Sequence, residues 1–142
     1  GRAVYEFPEP RIPGLDFSFS GLKTSILYFL KAELKKDPDF ITQHLNDICA
    51  SVQGRIVSIL LKRLRKAARK TGISEIAIAG GVSANSALRK GLMTMGQQEG
   101  WQTYIPKFEY CTDNAAMIAV AAYFKYQQKA FSSHAVQPAA RL

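Results

Sequence analysis

The most constraining feature of this sequence is the stretch EIAIAGGVSANSALRKGL at residues 75–92, where an apolar run ends at two adjacent glycines and a helix-like pattern follows at once. Residues 73–79 (ISEIAIA) predict a strand that is apolar on both faces near its end, as in a covered parallel sheet. Residues 101–105 (WQTYI) predict a second strand. A helix from about Asn85 to Gln98 lies between them, so the stretch predicts a strand–helix–strand crossover and an α/β fold.

Two amphipathic helices are predicted before this unit. Ser20 offers an N-cap for a helix over residues 21–36, in which leucine and isoleucine recur at four-residue spacing. A continuous apolar stripe then predicts a long, core-packed helix from about Phe40 to Lys70, with Gly72 as the residue that ends it.

The last helix is predicted to start near residues 112–114 and to continue through AAMIAVAAYFKYQQ. Its alanine-rich face predicts close packing against a neighbour. Residues 132–142 lack periodicity and predict a frayed tail after a lobe over residues 1–131. Two strands alone do not form a stable sheet. Either residues 2–7 add a strand, or the chain belongs to a larger sheet.

Composition places the chain among single-domain globular proteins. It has 142 residues, with 47% hydrophobic and 21% charged residues. No apolar run approaches the roughly 20 residues of a membrane span, which predicts no membrane association. The two cysteines, Cys49 and Cys111, form no CxxC motif, so neither a redox pair nor a zinc knuckle is expected. Reduced cysteines predict a cytoplasmic protein.

The net charge of +8 is concentrated in residues 62–70 (KRLRKAARK), which hold six basic residues and no acidic one. Cations near a helix C-terminus stabilise the macrodipole, which explains part of this run. A contact with nucleic-acid phosphates is the functional alternative. The sequence leaves both interpretations open.

The glycine pair also has two interpretations. Gly80 and Gly81 could leave the main chain bare, so that a phosphate or nucleotide approaches the helix N-terminus beyond the strand end. Alternatively, they only make a tight turn, and Ser83 or Asn85 caps the helix. The amide of Asn85 could cap the helix or bind a ligand. Neither the dinucleotide fingerprint nor the P-loop pattern is present.

Two further motifs carry candidate polar groups. In YCTDNAAMIA (residues 110–119), Thr112 or Asp113 could cap the following helix, which spacing favours, or Asp113 could bind a metal. One carboxylate is not a site, because zinc or iron needs three or more ligands. In LDFSFSGLKTS (residues 15–25), alternating serines predict a short strand, and Lys23 could bind an anion, although a capping serine is the simpler explanation.

The ordered set GLDFSFSGLKT, AGGVSAN followed by LR, and CTDNAAMIA closely resembles the carboxyl-terminal part of the TsaD/YgjD family, the tRNA adenosine threonylcarbamoyltransferases formerly called O-sialoglycoprotein endopeptidases or glycoproteases. The resemblance extends from about Phe7 to Tyr123, and VQPAARL resembles a family terminus. It implies the second lobe of an actin-like ATPase (ribonuclease H-like) fold. It also implies transfer of threonylcarbamoyl from threonylcarbamoyl-adenylate to the adenosine beside the anticodon in tRNAs reading A-starting codons.

The resemblance implies a ligand set as well. Asn85 matches the family's contact to the substrate nucleotide, with Gly80 and Gly81 as the backbone approach beside it. Asp113 matches a ligand of an iron, alternatively zinc, ion, whose other family ligands form a His-x-x-x-His pair. Threonylcarbamoyl-adenylate or ATP is the implied nucleotide. The implied partners are tRNA, a TsaB-type paralogue and a TsaE-type ATPase.

The sequence departs from the family by lacking the His-x-x-x-His pair and the first lobe. We therefore expect a fragment with little metal affinity or transferase activity by itself. Two other functions stay open: a nucleotide-binding ATPase or kinase-like lobe without an RNA partner, and a non-catalytic interaction lobe. The older protease interpretation is the weakest, because neither a nucleophile–histidine arrangement nor HExxH is present.

Overall fold

The computed structural model describes residues 1–10 and 12–137. It contains four α-helices and two short strands, in the order α1 (Ser20–Lys36), α2 (Phe40–Thr71), β1 (Glu75–Ala77), α3 (Ser86–Glu99), β2 (Gln102–Tyr104) and α4 (Ala115–Gln127). Two 3-10 turns, Gly81–Ala84 and Phe108–Tyr110, precede α3 and α4. The α/β class is confirmed, and the predicted helices are found within a few residues of their expected ends.

The strands β1 and β2 pair in parallel, with Ile76 opposite Thr103, and α3 connects them as the crossover predicts. Each strand has only three residues, fewer than expected. In β1 only Ile76 is buried, so the prediction of a strand covered on both faces is wrong for this chain. No strand forms at residues 2–7 or 15–19 in the described part of the chain.

Two hydrophobic clusters lie along α2. One joins its C-terminal half to β1 and α3 through Ala68, Ile76, Leu92 and Met95. The other joins its middle to α1 and the irregular N-terminal segment through Phe7, Leu22 and Ile59. The long helix is therefore the element on which the remaining structure packs. Gly72 ends it at φ +73°, as the sequence predicted.

Some local predictions are wrong. Ser20 is the first residue of α1 rather than its N-cap, and its hydroxyl pairs with that of Ser18 at 3.3 Å. Cys49, which the apolar stripe of the second helix predicts on its packed face, is exposed. In α4 every residue is exposed, so the expected packing of its alanine-rich face is not found within the described residues.

The predicted tail, residues 132–142, is irregular up to residue 137, and its last five residues lie outside the described part.

Candidate functional site

The candidate site lies where β1 and β2 end. Because the strands are parallel, their carboxyl ends meet at one edge of the sheet, where α/β proteins bind ligands. The chain leaves β1 through residues 78–85, called the first loop here, and leaves β2 through residues 105–114, called the second loop. The first loop contains the glycine pair and Asn85, and the second contains Asp113. All the residues predicted for the site thus lie on these two loops.

Hydrogen bonds within the first loop give it a defined shape. The carbonyl of Gly80 accepts from the amide of Ser83 at 2.9 Å and from its hydroxyl at 2.7 Å. Asn85 caps α3, since its Oδ1 accepts from the amide of Leu88 at 3.0 Å. Its Nδ2 donates to Gln53 on α2 at 3.3 Å. Of the two capping candidates, Asn85 is correct and Ser83 is not.

The two glycines differ in what this chain requires of them. Gly80 has φ +77°, a conformation that side chains other than glycine rarely adopt. Gly81 has no positive φ. A Cβ added at either position would meet no atom within 4 Å. The turn therefore explains Gly80, whereas nothing in the described chain requires glycine at position 81. The open space above both leaves room for a ligand against the main chain.

The second loop leaves Asp113 exposed. Asn114 caps α4, because its Oδ1 accepts from the amide of Met117 at 3.2 Å and its Nδ2 donates to the carbonyl of Thr112 at 2.8 Å. The prediction that Thr112 or Asp113 is the cap is therefore wrong. Within residues 1–10 and 12–137, the Asp113 carboxylate has neither a hydrogen bond nor an ion pair. It can therefore accept a ligand without breaking a contact.

The described residues supply only part of a metal-binding site. No group of three histidine, cysteine, aspartate or glutamate side chains lies together among the described residues. Both histidines lie far from Asp113 in sequence, and His44 packs on the ring of Phe40. Asp113 therefore fits one position in a ligand set, and the described chain does not supply the others.

A single side chain of α3 joins the two loops. Nη1 of Arg89 donates to the carbonyl of Ser83 in the first loop at 2.9 Å and to Sγ of the buried Cys111 in the second at 3.7 Å. Nη2 donates to the carbonyl of Pro106 at 2.5 Å. The loops are therefore neighbours, although no hydrogen bond or ion pair joins Asn85 to Asp113 within the described residues. Sequence reasoning assigned no role to Arg89.

Asn85 itself faces α2. It lines a shallow groove of about 330 Å³ with Cys49, Gln53 and four aliphatic side chains of that helix. Its Nδ2 is the polar group available there, since its Oδ1 is occupied by the cap. The bond from Nδ2 to Gln53 joins two side chains near the surface and is long, so a ligand acceptor could replace Gln53.

The basic residues of α2 mostly bind other parts of the chain. Lys62 pairs with Glu9 at 2.6 Å and lowers the pKa of that carboxyl group, mainly through this hydrogen bond. Arg63 and Lys66 donate to the carbonyl of Gly14, and Arg63 also to that of Ile12. These contacts hold the N-terminal segment on α2.

Glu99, at the end of α3, pairs with two more of these basic side chains, Arg65 and Arg69. Arg69 donates to both of its carboxylate oxygens at 2.9–3.1 Å, and Nε of Arg65 lies 3.1 Å from Oε1 without hydrogen-bond alignment. Five of the six basic residues at 62–70 thus have partners within the described chain. A phosphate contact by this run stays a prediction.

Comparison with known proteins gives the family. The family model described as TsaD, tRNA N6-adenosine threonylcarbamoyltransferase, matches residues 1–120, which include both loops. This chain belongs to that family. The resemblance inferred from the three sequence motifs is therefore confirmed.

Curated relatives agree with the family model. Proteins named tRNA N6-adenosine threonylcarbamoyltransferase from Christiangramia forsetii and Riemerella anatipestifer are 52% and 54% identical to this chain over 97% of its length. One from Cytophaga hutchinsonii is 52% identical over 98%. The chain spans only 40–41% of the length of these relatives.

Among the described residues, no helix combines the length and the hydrophobicity that a membrane span needs.

Proposed function

We propose that this chain is the carboxyl-terminal lobe of a longer protein with an actin-like ATPase (ribonuclease H-like) fold, with residues 1–131 forming the lobe and residues 132–142 its tail. The family match and the relatives' greater length support this proposal. The uncovered face of β1 and the exposed helix α4 support it as well, because both are surfaces that a larger fold would bury.

The reaction we propose for the longer protein is threonylcarbamoyl transfer to tRNA. The exocyclic amine of the adenosine beside the anticodon attacks the carbamoyl carbon of threonylcarbamoyl-adenylate. A C–N bond forms, the C–O bond to the phosphate breaks, AMP leaves, and the amine proton passes to solvent. The observation that carries the proposal is the family match across both loops.

In this proposal the first loop binds the adenylate. The bare main chain at Gly80 and Gly81 lets the nucleotide approach closely, consistent with the open space there. The Nδ2 of Asn85 exchanges Gln53 for an acceptor on the ligand, while its Oδ1 keeps capping α3. Asn85 thus orients the nucleotide without disturbing the helix that it begins.

We further propose that Asp113 is one ligand of an iron ion, alternatively zinc, whose remaining ligands come from outside this chain. When bound, such an ion supplies Lewis-acid activation of a carbonyl group. The exposed, unpaired carboxylate of Asp113 supports this role. The proposed partners are tRNA, a TsaB-type paralogue and a TsaE-type ATPase, and the proposed location is the cytoplasm.

The test replaces Asp113 by alanine in the full-length parent and measures incorporation of labelled threonylcarbamoyl into tRNA from purified threonylcarbamoyl-adenylate. Removing a group that only orients a metal ligand through a hydrogen bond costs about 10- to 100-fold, so we expect the loss of a ligand itself to cost roughly 100-fold or more. Asp39→Ala is the matched control, because Asp39 is also exposed at a loop–helix junction and its side chain forms no cap. Equal activity of both variants would remove Asp113 from the site.

The same assay separates the alternatives. A wild-type parent that hydrolyses ATP but never labels tRNA would favour the nucleotide-binding ATPase lobe. An interaction lobe would tolerate the loss of both Asn85 and Asp113 without any change in labelling. Either result would overturn the proposed reaction.

A further inference from the structure

Arg89 occupies an unusual position for a cation. It lies on the first turns of α3, where the helix dipole disfavours positive charge. It has no carboxylate partner within the described residues. Long helical side chains lean toward the helix N-terminus, so Arg89 extends back toward both loops. The position is therefore explained by the contacts that the guanidinium makes there.

Those contacts use both terminal nitrogens and one face of the guanidinium group. Nη1 and Nη2 donate to carbonyl groups of Ser83 and Pro106, one on each loop. The guanidinium carbon lies 4.2 Å from the ring centroid of Phe108, a cation–π distance. Nη1 also approaches the thiol of Cys111, which is 1% exposed. Arg89 thus contacts one residue of the first loop and three of the second.

We propose that Arg89 is a positioning residue that fixes the first loop against the second, so that Asn85 and Asp113 serve one ligand site. This inference rests on the proposed function for its catalytic consequence and on the hydrogen-bond geometry for its structural part. The two loops follow different strands, the first loop β1 and the second loop β2. Arg89 is the side chain whose bonds span them in the described structure.

Lysine cannot replace arginine in this role. The guanidinium presents its donors in a fixed planar fork, and its flat face stacks on an aromatic ring. A lysine ammonium is a single point on a flexible stem, so it lacks both the two spaced donor nitrogens and the planar face that Arg89 uses. Arg89→Lys therefore keeps the charge and removes the bridge, which separates positioning from simple electrostatics.

The structural arm of the test compares Arg89→Lys and Arg89→Ala with the wild-type full-length parent by amide hydrogen exchange without ligand. We expect faster exchange in residues 80–85 and 106–111 together, with α2 unchanged. Lys90→Ala is the matched control: Lys90 is the next residue along α3, exposed, and without a hydrogen bond or ion pair in the described structure. Faster exchange in only one loop, or in neither, would overturn the proposal.

The kinetic arm separates positioning from loss of folded enzyme. If the binding-competent arrangement of the loops falls to about one tenth, the apparent KM for threonylcarbamoyl-adenylate rises about tenfold, while saturating substrate restores kcat to within about threefold. A merely structural role would lower kcat through loss of active protein and leave KM unchanged, which would contradict the proposal. A wild-type parent with no transfer activity would refute the proposed function alone, because the exchange arm would still report on Arg89.

Discussion

The two roles of the Asn85 side chain can be separated by substitution. Its Oδ1 caps α3 through the amide of Leu88, and its Nδ2 is the donor proposed for the ligand. Asn85→Ala removes both groups. Asn85→Asp keeps a capping oxygen but replaces the donor by a charged carboxylate oxygen. The pair of variants thus tests the cap and the ligand contact independently.

The expected magnitudes differ in stability and in binding. Losing an N-cap costs about 0.5–2 kcal/mol, so Asn85→Ala should lower the free energy of unfolding by about 1 kcal/mol. Asp caps as well as Asn does, and a negative charge at a helix N-terminus adds roughly 0.3–1 kcal/mol. Asn85→Asp should therefore be as stable as wild type or slightly more so.

Binding should be weaker in both variants, because both lack the Nδ2 donor. A hydrogen bond to a charged group contributes about 1.5–3 kcal/mol, and 1.4 kcal/mol is a factor of ten. The KM of the full-length parent for threonylcarbamoyl-adenylate should therefore rise roughly 10- to 100-fold in Asn85→Asp. Asn85→Ser is the control for charge, because serine also caps but adds no carboxylate to repel the adenylate phosphate.

Transfer kinetics and urea unfolding on the same purified proteins are the assays. A KM in Asn85→Asp and Asn85→Ser equal to that of wild type would refute the ligand role and leave Asn85 as a cap only. A KM raised in the aspartate variant alone would trace the effect to charge rather than to the lost donor.

Further substitutions test packing and pH dependence in urea unfolding of this chain. A Cβ on the buried Gly96 would lie 2.5 Å from Cγ2 of Thr103. Gly96→Ala should therefore lower the free energy of unfolding by about 1 kcal/mol, because the clash costs more than the higher helix propensity of alanine contributes. Adding Thr103→Ser, which removes Cγ2, should recover this loss. Gly54→Ala, at an exposed position of α2 with space for a Cβ, should instead add up to about 1 kcal/mol. Because Lys62 lowers the pKa of Glu9 below 4.5, Glu9→Gln should be less stable than wild type at neutral pH, and this difference should disappear as pH falls through the lowered pKa.

Helix positions were predictable from sequence because they depend on local periodicity. The apolar stripe runs along most of the 32 residues of α2, and Gly72 marks the end of the helix, so both bounds were found to within one residue. The strands were shorter than predicted because a strand's length depends on its neighbours. With one three-residue partner, β1 has no ladder to extend it beyond Ala77.

The helix caps and the Arg89 contacts that join the two loops depend on backbone geometry, which composition does not give. Thr112, Asp113 and Asn114 are all acceptable capping residues. Asn114 is the cap because it is the extended residue, with φ −152° and ψ 161°, directly before the first helical turn. Arg89 belongs to the motif AGGVSAN followed by LR, but its contacts with Ser83 and Pro106 are tertiary and could not be predicted from that motif.

The most direct test of the central claim, that the two loops form one ligand site, is amide hydrogen exchange of the full-length parent with and without a non-hydrolysable threonylcarbamoyl-adenylate analogue. Slower exchange in residues 78–85 and 105–114 together is the expected result, with α1 unaffected. Protection confined to other segments, or to one loop while the other exchanges as before, would contradict it.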